Sequence, residues 1–126
     1  MLGEWMSSNL VLDKAFQFAI RIVKLNQHLV KTHKEYVLTK QLLRSGTSIG
    51  ANINEAQAAQ SHADFIAKMS IASKEARESH YWLKLLCETD YLNQKDGHVA
   101  TLLTQSEELI KMLTSIVKTA QQTQKK

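Results

Sequence analysis

Apolar residues recur at alternating steps of four and three along most of the chain. That is the spacing of helices that each bury one stripe. The first line is Val11, Ala15, Phe18, Ile22, Leu25 and Leu29. The second is Leu38, Leu42, Ser45, Ile49, Asn52, Ala56 and Ala59, which keeps the heptad but admits two polar residues. The third is Phe65, Met69, Ala72, Ala76, Ser79, Leu83 and Leu86, and the fourth is Val99, Leu102, Ser106, Leu109, Leu113, Ile116 and Ala120. Helix-start signals separate the lines. Ser8 or Asn9 is the first cap, Thr32-His33-Lys34-Glu35 fits a capping box, Ser61 precedes the acid of Asp64, and Asn93 is the last. The pattern predicts helices over about 9–30, 33–59, 62–88 and 95–119 in one domain, 1–126. The fold class is all-α, an antiparallel up-down-up-down four-helix bundle, because short connectors make sequential helices neighbours.

The second helix departs from an ordinary amphipathic pattern. Gln41, Ser45, Ser48, Asn52 and Glu55 fall within roughly 80° of arc. A solvated face prefers Lys and Glu, whereas small uncharged groups suit a close, partly buried contact. Gly46 and Gly50 each cost about 1 kcal/mol relative to Ala in a helix interior. They predict close approach by a neighbouring helix or subunit. A phosphate-cradling loop is disfavoured, since no strand precedes the segment and no lysine follows Gly50. On the third helix Glu75 and Glu78 lie among Ile71, Trp82 and Leu85. Di-iron bundles place carboxylates at that spacing, but they also need Glu-x-x-His, which this chain lacks. The expectation is that Arg44, Ser48, Asn52, Glu55, Glu75 and Glu78 make side-chain contacts inside the bundle or across a subunit interface.

The first helix carries more apolar surface than a bundle centre needs. A second row, Leu12, Phe16, Ile20, Val23 and Val30, runs beside the first, and the fourth helix adds Leu103, Ile110 and Val117. That surplus predicts self-association. Opposite lie Lys14, Gln17, Arg21, Lys24, His28 and Lys31, within roughly 100° of arc, and no acid occurs from Lys14 to Lys34. Such a face is either simply solvated or a track for phosphates, with Lys14, Arg21, Lys24 and Lys31 as the nucleic-acid contacts. No aromatic interleaves with them, so base stacking is not indicated. Lys and Arg number 16 against 12 Asp and Glu, a formal +4, which permits a polyanionic partner without requiring one.

Composition adds limits. The 126 residues include no proline and four glycines, as an all-helical chain tolerates best. The lone Cys87 cannot form an internal disulfide, which favours a reducing, cytoplasmic setting, and its leucine neighbours predict a buried, inert thiol. No signal peptide or run of roughly 20 apolar residues occurs, so a membrane role is not expected. The residues around Trp5 read as a loose N-terminus and 121–126 as a frayed tail. The five histidines show no metal-ligand spacing with one another or with Cys87. No nucleophile elbow, P-loop or dinucleotide fingerprint occurs. The sequence therefore predicts no catalytic, cofactor-binding or metal residues, no cofactor, and no enzyme.

One run has a counterpart elsewhere. Gln41-Leu42-Leu43-Arg44-Ser45, followed by Ser48-Ile49-Gly50-Ala51-Asn52-Ile53-Asn54-Glu55, resembles the signature of a known family. Its members are four-helix bundle proteins encoded in intervening sequences of bacterial 23S rRNA genes, formerly labelled S23 ribosomal protein. Asp64-Phe65, Ile71-Ala72, Glu75-Ala76-Arg77-Glu78, Tyr81-Trp82-Leu83 and the run Glu108 to Leu113 also match. Where a small residue, often Gly, follows the family's glutamate, this chain has Ala56. The resemblance implies a bundle assembled as a ring-like homopentamer. It also implies a fold similar to the accessory variability protein of diversity-generating retroelements, which binds nucleic acid and a reverse transcriptase through a basic surface. Two functional classes follow. One is a non-enzymatic homo-oligomer that binds RNA or DNA, and the other is a protein–protein scaffold with no nucleic-acid binding.

Overall fold

The computed structural model describes residues 2–124, with side chains described over 8–123, so Trp5 and the last residues of the tail lie outside the described side chains. Helix α1 spans Leu2–His33, α2 Leu38–Ala56, α3 His62–Glu88 and α4 Gly97–Gln124. Each helix packs on the next, and α4 returns to α1, so the four close an up-down bundle. Contacts at both ends fix that order. His33 at the end of α1 meets Tyr91 beyond α3, edge to face at 5.7 Å. At the opposite end His62 Nε2 lies 2.8 Å from the Ala120 carbonyl of α4.

The heptad lines form the core. Leu42, Ile49, Leu83 and Leu109 are all but inaccessible, as are Val11, Ala15, Phe18, Ile22 and Leu29. Full burial of one such large side chain contributes roughly 1.5–3 kcal/mol. Leu25 is only partly buried although it keeps the spacing.

Helix boundaries differ from the sequence expectation at both ends of α1, α2 and α4, while α3 keeps its expected bounds. Helix α1 starts at Leu2, upstream of the expected cap, and Ser8 lies buried inside it. Thr32-His33-Lys34-Glu35 does not start α2. Helix α1 runs through Thr32 and His33, and Lys34 then takes a left-handed φ of 53°, with its N–H on the Val30 carbonyl. This is a helix C-terminal cap made without glycine. Helix α2 begins at Leu38, and the Glu35 carboxylate accepts the N–H groups of Val37, Leu38 and Thr39 at 3.2, 3.0 and 2.8 Å. It satisfies the orphan donors that the box was expected to cover. At the other end α2 stops at Ala56 in a turn that occupies 57–60. Helix α4 begins at Gly97, where Asp96 Oδ1 accepts the His98 N–H, while Asn93 caps only the preceding turn through Lys95. It continues to Gln124, past the expected end near 119. Ser61 caps α3 as the sequence indicates, accepting the Asp64 N–H at 3.0 Å.

Candidate functional site

The polar line of α2 faces α3. At its deepest point Ser45 and Ser79, both fully buried, share a hydrogen bond of 2.9 Å between their hydroxyls. Further out, Arg44 pairs with Glu78 at 2.8 Å and Glu55 with Lys68 at 3.2 Å. Both pairs are well exposed, so each contributes little to stability. Asn52 does not reach across. Its amide donates to the Ser48 carbonyl one turn back in its own helix, at 2.8 Å. Glu75 lies on the same seam, with Oε2 buried and lacking a hydrogen-bond partner. Burial, reinforced by Glu78, raises its carboxyl above the ordinary value, against the pull of Arg44 and Lys74. Trp82, two turns further on α3, likewise buries an unpartnered indole N–H.

Of the six expected polar residues, Arg44, Glu78 and Glu55 reach the facing helix through ion pairs and Glu75 lies beside Arg44 and Glu78, while Ser48 and Asn52 bond each other within α2. Among the described residues no group of three or more His, Cys, Asp or Glu is placed to hold a metal ion. No helix is long and apolar enough to cross a membrane, among the described residues. Cys87 is only partly buried, where full burial was expected, and burial with Glu88 nearby raises its thiol.

One cluster that sequence reasoning missed has the composition of a hydrolase triad. His80 Nδ1 lies 2.8 Å from Ser106 Oγ, and His80 Nε2 lies 3.9 Å from Glu107. The arrangement cannot attack a substrate, because Ser106 is fully buried and its Oγ lies 2.8 Å from the Leu103 carbonyl in its own helix. It is a satisfied buried hydroxyl. The available signal was the three seam serines, Ser45, Ser79 and Ser106, each of which needs a partner once buried.

The basic face of α1 looks toward α4, which local sequence could not reveal. Lys14 pairs with Glu108 at 3.0 Å. The Arg21 guanidinium bonds the His98 carbonyl at 2.8 Å and the Thr101 hydroxyl at 2.9 Å, and it also meets Gln105. Lys24 and Lys31 stay exposed. Two of the four expected phosphate contacts are thus engaged within the bundle.

The second apolar row of α1 stays largely uncovered. Phe16 is 61% exposed, with Ile20 and Val23 also open. Beside them an open groove of about 840 Å³ runs between α1 and α2, lined by Leu12, Phe16, Ala19, Thr47, Gly50 and Ala51 among others.

This geometry agrees with the sequence signature on α2 and α3. A family profile described as 23S rRNA-intervening sequence protein matches residues 7–115. The chain belongs to that family. A solved crystal structure of a protein of unknown function from the S23 ribosomal protein family, from Bacteroides thetaiotaomicron, is similar to it. That protein is 52% identical over 89% of this chain and 98% of its own, with a TM-score of 0.84. Comparison with curated proteins finds no match. In this 23S rRNA-intervening sequence protein, then, the signature run from Gln41 to Glu55 is the helix that supplies the buried serine contact and the polar rim.

Proposed function

We propose that this family member is a non-enzymatic, cytoplasmic homo-oligomer. It self-associates through the outer face of α1 and α2 and binds nucleic acid, structured RNA or DNA, through basic surfaces. The observation that carries the reading is the uncovered apolar row of α1, where Phe16, Ile20 and Val23 flank the α1–α2 groove. Contiguous apolar surface of that kind marks interfaces. A different apolar pair, Ile71 and Tyr81 on α3, is also exposed. Two unlike surfaces suit a head-to-tail ring, in which each subunit offers both. The count of five rests on the family resemblance. At +4 per chain, five copies would carry five times four, +20, and such a field favours polyanions.

The engagement of Lys14 and Arg21 with α4 favours the second reading, a protein–protein scaffold without nucleic acid. Light scattering combined with a salt-dependent titration of labelled RNA and DNA separates the two. The first reading expects an oligomer whose nucleic-acid affinity falls steeply with salt. An oligomer without affinity for either nucleic acid supports the scaffold, and a monomer at micromolar concentration defeats both.

A further inference from the structure

On the edge of the bundle opposite α1 and α2, a shallow cleft of about 240 Å³ separates the outer faces of α3 and α4. Its rim is Ser70, Ser73 and Arg77 from α3 with Thr114, Lys118 and Gln121 from α4. We propose that this cleft is a phosphate-binding subsite for the backbone of a nucleic acid. The inference rests on the nucleic-acid reading above and names the surface responsible.

Three observations support it. First, the polar lining is a set of groups able to donate to an oxyanion: two cations, three hydroxyls and an amide, with no carboxylate. Second, the cations are free to act. Among the described residues neither Arg77 nor Lys118 lies within 4.0 Å of a carboxylate, whereas Lys14, Arg44 and Lys68 each pair with one. The Arg77 guanidinium is already oriented by a 3.0 Å bond to the Thr114 hydroxyl, which leaves its other donors for a ligand. Third, the cations extend beyond the cleft. Lys84 lies two turns past Arg77 on α3 and Lys111 two turns before Lys118 on α4, all four exposed. Two turns advance about 10.5 Å along a helix. Glu107, which turns toward His80 one turn before Lys84, interrupts the strip between Lys84 and the other three cations. The strip's cations come from two helices, so its charge is invisible in any one sequence window, unlike the α1 face.

The test is the affinity of a labelled RNA hairpin, measured by fluorescence anisotropy from 50 to 200 mM salt. It compares the full chain with an Arg77→Gln, Lys118→Gln double variant and a Lys24→Gln, Lys31→Gln double variant. If the cleft binds phosphates, the first double variant weakens binding and makes the slope of log K against log salt shallower by about 2, one for each lost contact. Lys118→Gln alone breaks no hydrogen bond within the protein and should still flatten the slope by about 1. The α1 variant should bind as the parent does. Binding by the parent that only the α1 variant weakens overturns the cleft and leaves the nucleic-acid reading standing. No binding by the parent at 50 mM salt removes both.

Discussion

The Ser79 and Ser45 hydroxyls lie 2.9 Å apart across the α2–α3 seam, neither residue is accessible to solvent, and the Ser79 hydroxyl also lies 2.9 Å from the Glu75 carbonyl in its own helix. Ser45 in turn can donate to the Leu42 carbonyl, 3.3 Å away in its own helix. The two hydroxyls satisfy each other where larger side chains would force the helices apart. Ser79→Ala is expected to cost about 0.5–1.5 kcal/mol, the net value of a hydrogen bond. The double variant with Ser45→Ala should cost less than the sum of the two single changes, as expected of residues in contact. Urea denaturation of the four proteins in the cycle checks this. Strictly additive losses would show that the pair is not coupled.

That contact also shows what was legible in the sequence. The heptad lines of Phe18, Leu42, Ile49 and Leu83 fix which face of each helix is buried, because a stripe at 3.5-residue spacing has few other uses. The same lines contain Ser45, Ser79 and Ser106, so buried hydroxyls were foreseeable, though their pairing was not. Pairing depends on the rotation and level of facing helices, which one helix's pattern does not encode. The Lys14–Glu108 and Arg21–Thr101 contacts were hidden for the same reason, since their partners lie on α4. Asn52 was expected to make a contact inside the bundle or across a subunit interface, and within the subunit its amide meets the Ser48 carbonyl one turn back. Local side-chain bonds to the backbone commonly compete in this way.

The two glycines of α2 should behave differently. A Cβ on Gly46 would sit 2.9 Å from Ile22 Cγ2 and 3.0 Å from Cγ1, on a β-branched side chain that has little freedom to retreat. A Cβ on Gly50 would meet only Ala15, at 3.7 Å. Gly50→Ala should therefore gain up to about 1 kcal/mol from helix propensity. In Gly46→Ala that gain is offset by overpacking, which costs about 1–3 kcal/mol. Thermal melts should place Gly50→Ala above Gly46→Ala, and the reverse order would refute the close α1–α2 approach at Ile22.

Two glutamates should give opposite pH responses. Burial and the neighbouring Glu78 raise the Glu75 carboxyl above its ordinary 4.5, so the folded state holds its proton more tightly than the unfolded chain. Its contribution to stability is present below 4.5 and is lost as pH rises through the folded value. Glu75→Gln should remove that decline and melt no lower than the parent at pH 7. For Glu35, burial acts to raise the carboxyl, but its hydrogen bonds from Leu38, Thr39 and Val37 outweigh it and the net shift is downward. Its contribution is present above 4.5 and fades as pH falls through the folded value. Glu35→Ala should cost about 0.5–2 kcal/mol at pH 7, as for loss of a helix cap, and less in acid. Melting curves from pH 3 to 7 on both variants test the signs, and a Glu75→Gln protein less stable than the parent at pH 7 would contradict the first.

The apolar row of α1 gives the last prediction. Phe16 is 61% exposed and Ile20 37%, so neither holds the bundle together as Phe18 and Ile22 do, both fully buried. Substitutions at exposed positions usually change stability by no more than about 0.5 kcal/mol. Placing a charge in an apolar contact between subunits is far more costly, because the charge must lose its water. A Phe16→Asp, Ile20→Asp variant should therefore keep the helical content and melting behaviour of the folded subunit while its mass falls to that of a monomer. Light scattering and circular dichroism on the same samples separate the two effects. A variant that keeps the parent's oligomer mass would show that the subunits meet elsewhere. The α3 pair Ile71 and Tyr81 would then be the next surface to charge.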